Sequence, residues 1–204
     1  MFRWLKTGWG RALVMPMLVA IFLLGWEALF RSAVYPAFLV PAPATVGARL
    51  LAVVADGSLL RHTLVTLQEV LLGLAVGASV ALLLGYLIAR SALLERIITP
   101  YLVALQAVPI VAIAPLLVIW FGSGLASKVL ICALIVFFPM LVNTIVGVRG
   151  VAPELHDLMR ALEATRWQTF RYLEAPAALP VLMGGLKVSA TLSVIGAVVG
   201  EFVS

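Results

Sequence analysis

The sequence has 204 residues, of which 64% are hydrophobic and only 11% are charged, and its mean hydropathy is +1.17. This composition excludes an ordinary soluble globular domain and is typical of an integral membrane protein, in which lipid and neighbouring helices surround the apolar side chains. The formal net charge of +5 fits the bias that orients a membrane protein, so we expect no nucleic-acid binding, and one cysteine and two distant histidines indicate neither an intrachain disulfide nor a metal site.

Five apolar stretches are predicted as transmembrane helices, because each has roughly the 20 residues that cross about 30 Å of hydrocarbon. The first stretch could instead be a signal peptide, but it lacks a small-residue cleavage site, so we interpret it as a span. The five predicted spans are residues 12–30, 67–89, 98–120, 128–148 and 181–200.

The loop between the first two spans, residues 31–66, contains a predicted short helix. Thr45 is a candidate N-cap, and apolar residues at helical spacing follow it as far as Asp56 and Gly57. Such a helix either lies in the membrane interface or contacts substrate, and the interface is the simpler expectation.

Two glycines on the second span indicate a close helix contact. Gly73 and Gly77 are four residues apart and therefore share one helical face. Small residues at this spacing let another helix backbone approach closely.

The third span holds Pro100, Pro109 and Pro115. Proline has no backbone N–H, so we predict that this helix is kinked or interrupted. Irregular backbone at membrane depth is tolerated where protein or a water-filled path covers it.

Polar residues near these breaks are candidates for a translocation path. Gln106 lies beside Pro109, Asn143 follows another proline in the fourth span, and Glu201 follows the fifth. The alternative for Gln106 and Asn143 is a hydrogen bond between helices, and for Glu201 a position at the membrane interface.

The distribution of lysine and arginine predicts the orientation. With a cytoplasmic N-terminus (residues 1–11), ten of these residues lie on the cytoplasmic side and four lie outside, as the positive-inside rule requires. Residues 149–180 then form the longest cytoplasmic loop.

That loop is amphipathic. Leu155, Leu158 and Leu162 follow the helical period, as do Trp167 and Phe170, so we predict two short helices joined by a turn. They could lie on anionic lipid or dock into a groove of a partner protein, and the spacing does not decide between these.

The stretch from Phe137 to Phe202, which includes ATRWQTFRYLEAPAALP, resembles the membrane permeases of binding-protein-dependent ABC importers. The similar members handle nitrate, sulfonates, taurine, hydroxymethylpyrimidine and riboflavin. The similarity extends back through LQAVPIVAIAPLLVIWFGSGLASK to VPAPATV, and so covers about the whole chain. It implies an all-α integral membrane protein with the MetI-like permease fold, in a single permease domain. Six spans are usual in this family, so we expect this chain to lack the sixth.

In that family the cytoplasmic loop carries the EAA motif and supplies a coupling helix to the ATPase. Asp157 to Met159 occupy the E-A-A positions, Glu163 the glycine position, and Ala175 with Pro176 the L-P position. A left-handed glutamate costs about 1 kcal/mol or more, so we expect the turn to shift toward Thr165 or the helix to continue further. The resemblance implies these ATPase-coupling residues: Asp157, Ala161, Glu163, Ala164, Arg166, Trp167, Phe170, Arg171 and Pro176.

No phosphate loop and no catalytic motif occurs in the sequence, so we expect a non-enzymatic subunit. The resemblance implies that ATP and magnesium bind a partner ATPase and that this chain holds no cofactor. It also implies four kinds of partner: ABC ATPase subunits, a periplasmic or lipid-anchored solute-binding protein, a second and identical permease copy, and the lipid bilayer of the bacterial inner membrane.

The resemblance implies alternating access driven by that ATPase. The run from Leu162 to Phe202 is most similar to the riboflavin and hydroxymethylpyrimidine members, so we expect a vitamin or heterocyclic precursor as the solute, ahead of sulfonate, taurine or nitrate. The alternative function is a channel or secondary transporter that works without ATP.

Overall fold

The computed structural model describes residues 8–204, with side chains from residue 14 onward, and every regular element in this part of the chain is helical. The all-α fold class is therefore confirmed. Of the predicted cytoplasmic segment 1–11, residues 1–7 lie outside the described residues. The helices are α1 (Gly8–Arg31), α2 (Pro43–Ala55), α3 (Ser58–Arg90), α4 (Ala92–Gln106), α5 (Ile110–Phe121), α6 (Leu125–Arg149), α7 (Pro153–Ala161), α8 (Arg166–Thr169), a π-helical turn (Phe170–Glu174) and α9 (Ala175–Val203).

Long apolar helices account for the predicted spans. Their outer faces carry many exposed large apolar side chains, which in a soluble monomer would form an unusually large apolar surface. α4 and α5 make a fifth span if this pair, bent by 92°, is counted as one. The four other helices long and apolar enough to cross a membrane are Val14–Arg31, Ser58–Arg90, Leu125–Arg149 and the continuous helix Arg166–Val203.

The second span is longer than predicted. α3 begins at Ser58 and not at residue 67, because Gly57 turns the chain with φ 74° and the Asp56 carboxylate accepts a 2.8 Å hydrogen bond from the Ser58 backbone N–H. Hydrogen bonds from Ser58 also lower the pKa of Asp56 below its usual value. The predicted loop 31–66 therefore ends at residue 57.

The third and fifth spans also differ from the predictions. The third is two helices, because the chain breaks between Gln106 and Ile110 and Pro109 is the N-cap of α5. The helix of the fifth span is continuous from Arg166 through α8 and the π-helical turn into α9, so it begins ahead of the predicted residue 181. Pro176, which has no backbone N–H, lies where the π-helical turn passes into α9.

The described part of the chain divides into two compact units, one that ends at residue 62 and one that spans residues 63–204. In the first unit α2 begins at Pro43 with Ala42 as its N-cap, so the predicted N-cap at Thr45 is wrong. Proline suits the first helical position because its φ is already helical and its missing N–H would have no partner there. The indole N–H of Trp26 donates to the Pro41 carbonyl at 3.0 Å.

In the second unit, small residues bring α3, α6 and α9 together. A methyl group built on Gly77 would lie 2.5 Å from the Ala133 carbonyl oxygen, and Gly73 is equally close to α6. The predicted close contact of this face is confirmed. The buried Ser193 hydroxyl on α9 donates to the Val70 carbonyl on α3 at 2.9 Å, which adds a polar link to this small-residue packing.

Candidate functional site

The break between α4 and α5 opens onto a cavity of about 460 Å³. Gln106, at the end of α4, and Asn143, on α6, both line it. Pro109 lies in the break itself, where its extended conformation (ψ 120°) turns the chain into α5. The structure thus brings three of the four sequence-predicted path residues to one place.

Asn143 is held within its own helix. Its side-chain amide donates to the Pro139 carbonyl at 2.8 Å, so the interhelical hydrogen bond considered from the sequence is not the one observed. Gly185 on α9 packs directly on the Asn143 side chain, because a methyl group there would lie 2.7 Å from the Asn143 Cβ. The side chain is therefore fixed in the cavity wall.

Glu201, the fourth predicted path residue, lies elsewhere. It accepts a hydrogen bond from the Thr66 hydroxyl, and its neighbour Gly200 packs against Lys128. The 16 residues from Gly185 to Glu201 span roughly 24 Å of helix. Glu201 is thus not brought to the cavity that Gln106 and Asn143 line.

Beside that end of α9 lies an ion pair that sequence reasoning did not predict. Glu69 is 1% exposed and its carboxylate lies 3.3 Å from the Lys128 ammonium. Glu69 belongs to α3, and the fold buries it against Lys128 of α6. A buried charge of this kind requires its partner.

Helix α7 ends in a hydrogen-bonded turn at the position that the sequence resemblance aligns with the glycine of the EAA motif. Glu163 has φ 51°, its N–H donates to the Arg160 carbonyl at 2.9 Å, and the N–H of Ala164 donates to the Met159 carbonyl at 3.0 Å. These two bonds form the Schellman motif that glycine commonly completes. Both sequence expectations were wrong: the turn does not shift and the helix does not continue, because Glu163 itself adopts the left-handed conformation.

The next helix starts immediately after this turn. The Thr165 hydroxyl accepts from the Gln168 backbone N–H at 3.3 Å, and the Gln168 side chain accepts from the Thr165 backbone N–H at 2.7 Å. This reciprocal capping box satisfies two N–H groups that a helix start leaves unpaired. The sequence signal T-x-x-Q was present and could have located it.

The aromatic pair of the loop is divided between surface and interior. Trp167 is 64% exposed, whereas the Phe170 ring is partly buried and packs edge-on against Tyr86 of α3, with ring centroids 5.2 Å apart. Arg166 and Arg171 are exposed. Trp167 and Phe170 help to line a cavity of about 550 Å³, whose other walls come from α3, α6 and α9.

The remaining predicted coupling residues lie along the same loop. Asp157 is exposed and pairs with Arg160 within α7 at 2.8 Å. Ala161 is the last residue of α7, and Pro176 lies in the first turn of α9.

Two residues before Pro176, Glu174 forms a buried polar cluster that sequence reasoning missed. It is 1% exposed, and its Oε1 lies 2.8 Å from an Arg90 guanidinium nitrogen and 3.1 Å from His156 Nε2. Its Oε2 accepts from the Tyr86 hydroxyl at 2.9 Å. We call these four residues the Glu174 cluster, and it joins α3, α7 and the start of α9.

Comparison with known proteins identifies relatives along nearly the whole chain. Residues 73–204 match the family described as binding-protein-dependent transport system inner membrane component. The riboflavin transport system permease protein of Chloroflexus aurantiacus is 46% identical over 193 residues, which cover 95% of this chain and 72% of the relative. The formylaminopyrimidine transport permease protein of Halalkalibacterium halodurans is 35% identical, over 87% of this chain and 70% of the relative. The putative aliphatic sulfonates transport permease protein of Bacillus subtilis is 33% identical, over 96% and 70% respectively.

Proposed function

We propose, from the premise that the chain belongs to the family of binding-protein-dependent transport system inner membrane components, that it is the transmembrane permease subunit of an ATP-driven ABC importer. As a member of that family the chain is a non-enzymatic membrane subunit. Its own work is therefore conformational: it exposes a solute path alternately to the two sides of the membrane while ATP is hydrolysed on partner subunits.

The observation that carries this proposal is the turn between α7 and α8. Glu163 adopts the left-handed backbone at the position where the EAA motif has glycine, although a glutamate is disfavoured there by about 1 kcal/mol or more. The left-handed turn forms here although glycine is absent, so we infer that the conformation of this turn serves a function. This supports α7 as the coupling helix that docks on the ATPase.

The exposed side chains of α7 fit such docking. Leu155, Leu158 and the following Leu162 are all exposed, next to the exposed Asp157 and Arg160 pair. An apolar stripe with charges beside it is the pattern of a helix that inserts into a groove of a partner.

The cavity at the break between α4 and α5 supports the solute path. Gln106 and Asn143 supply polar groups there, in a wall that is otherwise apolar apart from backbone. The cavity is lined by α4, α5, α6 and the residues between α4 and α5, so a closed path needs walls from elsewhere. We propose that a second, identical copy of the chain supplies them.

The orientation follows from the positive-inside rule: the N-terminus and the loop with α7 and α8 face the cytoplasm, and α2 faces outward. This orientation brings the ATPase to α7 and the solute-binding protein to the opposite face.

For the solute, we propose riboflavin or a related vitamin or heterocyclic precursor. The relative named for riboflavin transport is 46% identical, against 35% for the formylaminopyrimidine and 33% for the sulfonate permease. These differences support a heterocyclic solute ahead of sulfonate, taurine or nitrate.

The test is uptake in the native host with the permease gene deleted and restored. Labelled riboflavin should accumulate only in the restored strain, and should stop when ATP is depleted while the proton gradient is kept. Tagged permease purified from these membranes should carry an ATPase subunit. Uptake that persists without ATP, with no ATPase in the purified sample, would instead identify a channel or secondary transporter. ATP-dependent uptake of taurine in place of riboflavin would change the substrate and keep the mechanism.

A further inference from the structure

The Glu174 cluster connects the proposed coupling helix to the membrane bundle. Tyr86 and Arg90 are four residues apart, and therefore on one face, in the last turns of α3, and His156 is on α7. Both oxygens of the Glu174 carboxylate make polar contacts. One accepts a hydrogen bond from Tyr86, and the other contacts Arg90 and His156. Three separate helical elements thus meet at one buried carboxylate.

Helix α7 has few other attachments of this kind. None of its residues is buried. Its Arg160 and Asp157 pair is internal to the helix, and the contact of His156 with Glu174 is the polar side-chain link that the described residues show between α7 and the bundle. Among the polar side-chain contacts of the described residues, His156 is therefore the one through which a displacement of α7 acts on the bundle.

The bundle side of this link is rigid. Within the π-helical turn the N–H of Ala175 donates to the Phe170 carbonyl, five residues back, which turns Phe170 and Glu174 toward the same neighbour. Phe170 packs on the ring of Tyr86 and Glu174 accepts from its hydroxyl. Single π-helical turns of this kind are often found at functional sites.

The charges explain why the link is sensitive to the loss of any one partner. The Glu174 carboxylate is buried, so its hydrogen bonds are stronger than those of an exposed group, and losing one leaves a charged oxygen less well paired. Arg90 neutralises the carboxylate from α3, and His156 Nε2, 3.1 Å from the same oxygen, completes its polar contacts.

We propose that the Glu174 cluster is the latch that carries the movement of α7 into α3 and α9, with His156 as the positioning residue that engages it. This inference rests on the proposed function, since it takes α7 as the coupling helix. It predicts that a variant that loses this contact still folds, still binds its ATPase and still hydrolyses ATP. In that variant ATP hydrolysis no longer rearranges the bundle.

The test replaces His156 rather than Glu174, because a variant of the buried carboxylate could simply fail to fold. His156→Ala removes the donor, and His156→Gln keeps an amide N–H in a similar position. Glu154→Ala is the matched control on α7, because Glu154 is exposed and lies in the first turn of the same helix.

The readout is a cysteine introduced at Val142, which lines the cavity at the break between α4 and α5, in a background with Cys132→Ala. The complex of permease and ATPase is purified, and the rate of alkylation by a charged maleimide is measured without nucleotide and with ATP plus vanadate. The ATP hydrolysis rate is measured on the same samples.

In the parent and in Glu154→Ala, ATP plus vanadate should change the alkylation rate about tenfold. His156→Ala should lose this change yet bind the ATPase and hydrolyse ATP at a near-parental rate, and His156→Gln should restore it. A full response in His156→Ala would overturn the latch, as would loss of ATPase binding in that variant, which would make His156 a docking residue. A parent that binds no ATPase would instead count against the proposed function itself.

Discussion

Gly77 of α3 and Ala133 of α6 lie in backbone contact: a methyl group built on Gly77 would stand 2.5 Å from the Ala133 carbonyl oxygen and 3.0 Å from its Cα. Inside a bilayer, helices gain little from the hydrophobic effect and associate through close packing of small residues. The position therefore leaves no room for a larger residue unless the two backbones separate.

Gly77→Ala should destabilise the bundle. The added methyl group meets backbone, which cannot move aside as a flexible side chain could, and overpacking of this kind costs about 1–3 kcal/mol. Thermal unfolding in detergent, followed by size-exclusion chromatography, should show a lower midpoint. The matched control is Gly184→Ala on α9, where the added methyl group has no neighbour within 4 Å; it should leave the midpoint unchanged or raise it, since alanine favours helix. An equal decrease for both variants would contradict the packing explanation.

Glu163→Gly should stabilise the chain. Glycine adopts φ 51° without the cost of about 1–2 kcal/mol that a residue with Cβ bears in the left-handed region. The midpoint of thermal unfolding should rise, or the α7 segment should resist limited proteolysis for longer. Glu154→Gly, in the first turn of the same helix, is the control and should lower stability by about 1 kcal/mol, because glycine is unfavourable in an ordinary helical position. If Glu163→Gly behaves like Glu154→Gly, the turn does not have this conformation.

Trp167→Ala should weaken assembly with the ATPase. Trp167 is 64% exposed, and truncating an aromatic anchor at an interface commonly costs about 2 kcal/mol, which corresponds to roughly 30-fold in affinity. Pull-down of the ATPase in detergent measures the loss, and Arg171→Ala should cause a smaller and salt-sensitive one. If Trp167→Ala reaches the membrane at a normal level and binds the ATPase fully, this segment has no docking role.

Phe170→Ala should act differently from Trp167→Ala, although the two rings are only 5.4 Å apart. Phe170 packs on Tyr86 within the chain, so its removal should lower the unfolding midpoint, as loss of a packed aromatic pair does. The same thermal assay separates the two variants: Trp167→Ala should unfold like the parent. If Phe170→Ala unfolds like the parent and loses the ATPase, both rings belong to the docking surface.

The orientation predicts which introduced cysteines react from outside the cell. In a background with Cys132→Ala, Ser58→Cys should react with a membrane-impermeant thiol reagent in intact cells, and Glu154→Cys should react only after the cells are opened. Ser58 starts α3 beside the turn at Gly57, and Glu154 lies in the first turn of α7. If Glu154→Cys reacts in intact cells and Ser58→Cys does not, the orientation in the membrane is opposite to the proposed one. The positive-inside argument would then fail for this protein.

Much of the candidate site could be predicted from sequence because its signals are local. The three prolines of the third span predicted the break where Gln106 and Pro109 lie, and helical periodicity predicted the two short helices with a turn between them. The structure has the break, the first short helix and the turn, but the second predicted helix is the beginning of the long helix Arg166–Val203. The turn itself was predicted incorrectly, because residue preference disfavours Glu163 at a left-handed position while the hydrogen bonds of the Schellman motif favour that conformation.

The sequence by itself determined that this is a membrane protein, roughly where its helices lie, and that Gly73 and Gly77 form a contact face, because composition, hydropathy and residue spacing are properties of short segments. Only the tertiary structure decided which distant groups meet. Tyr86 and Glu174 are 88 residues apart, and Glu69 pairs with Lys128 across two helices. Neither pairing follows from spacing, because a charged residue near the end of an apolar run can equally well face water. The packing of α3, α6 and α9 buries these carboxylates, and burial is what makes each of them require its partner.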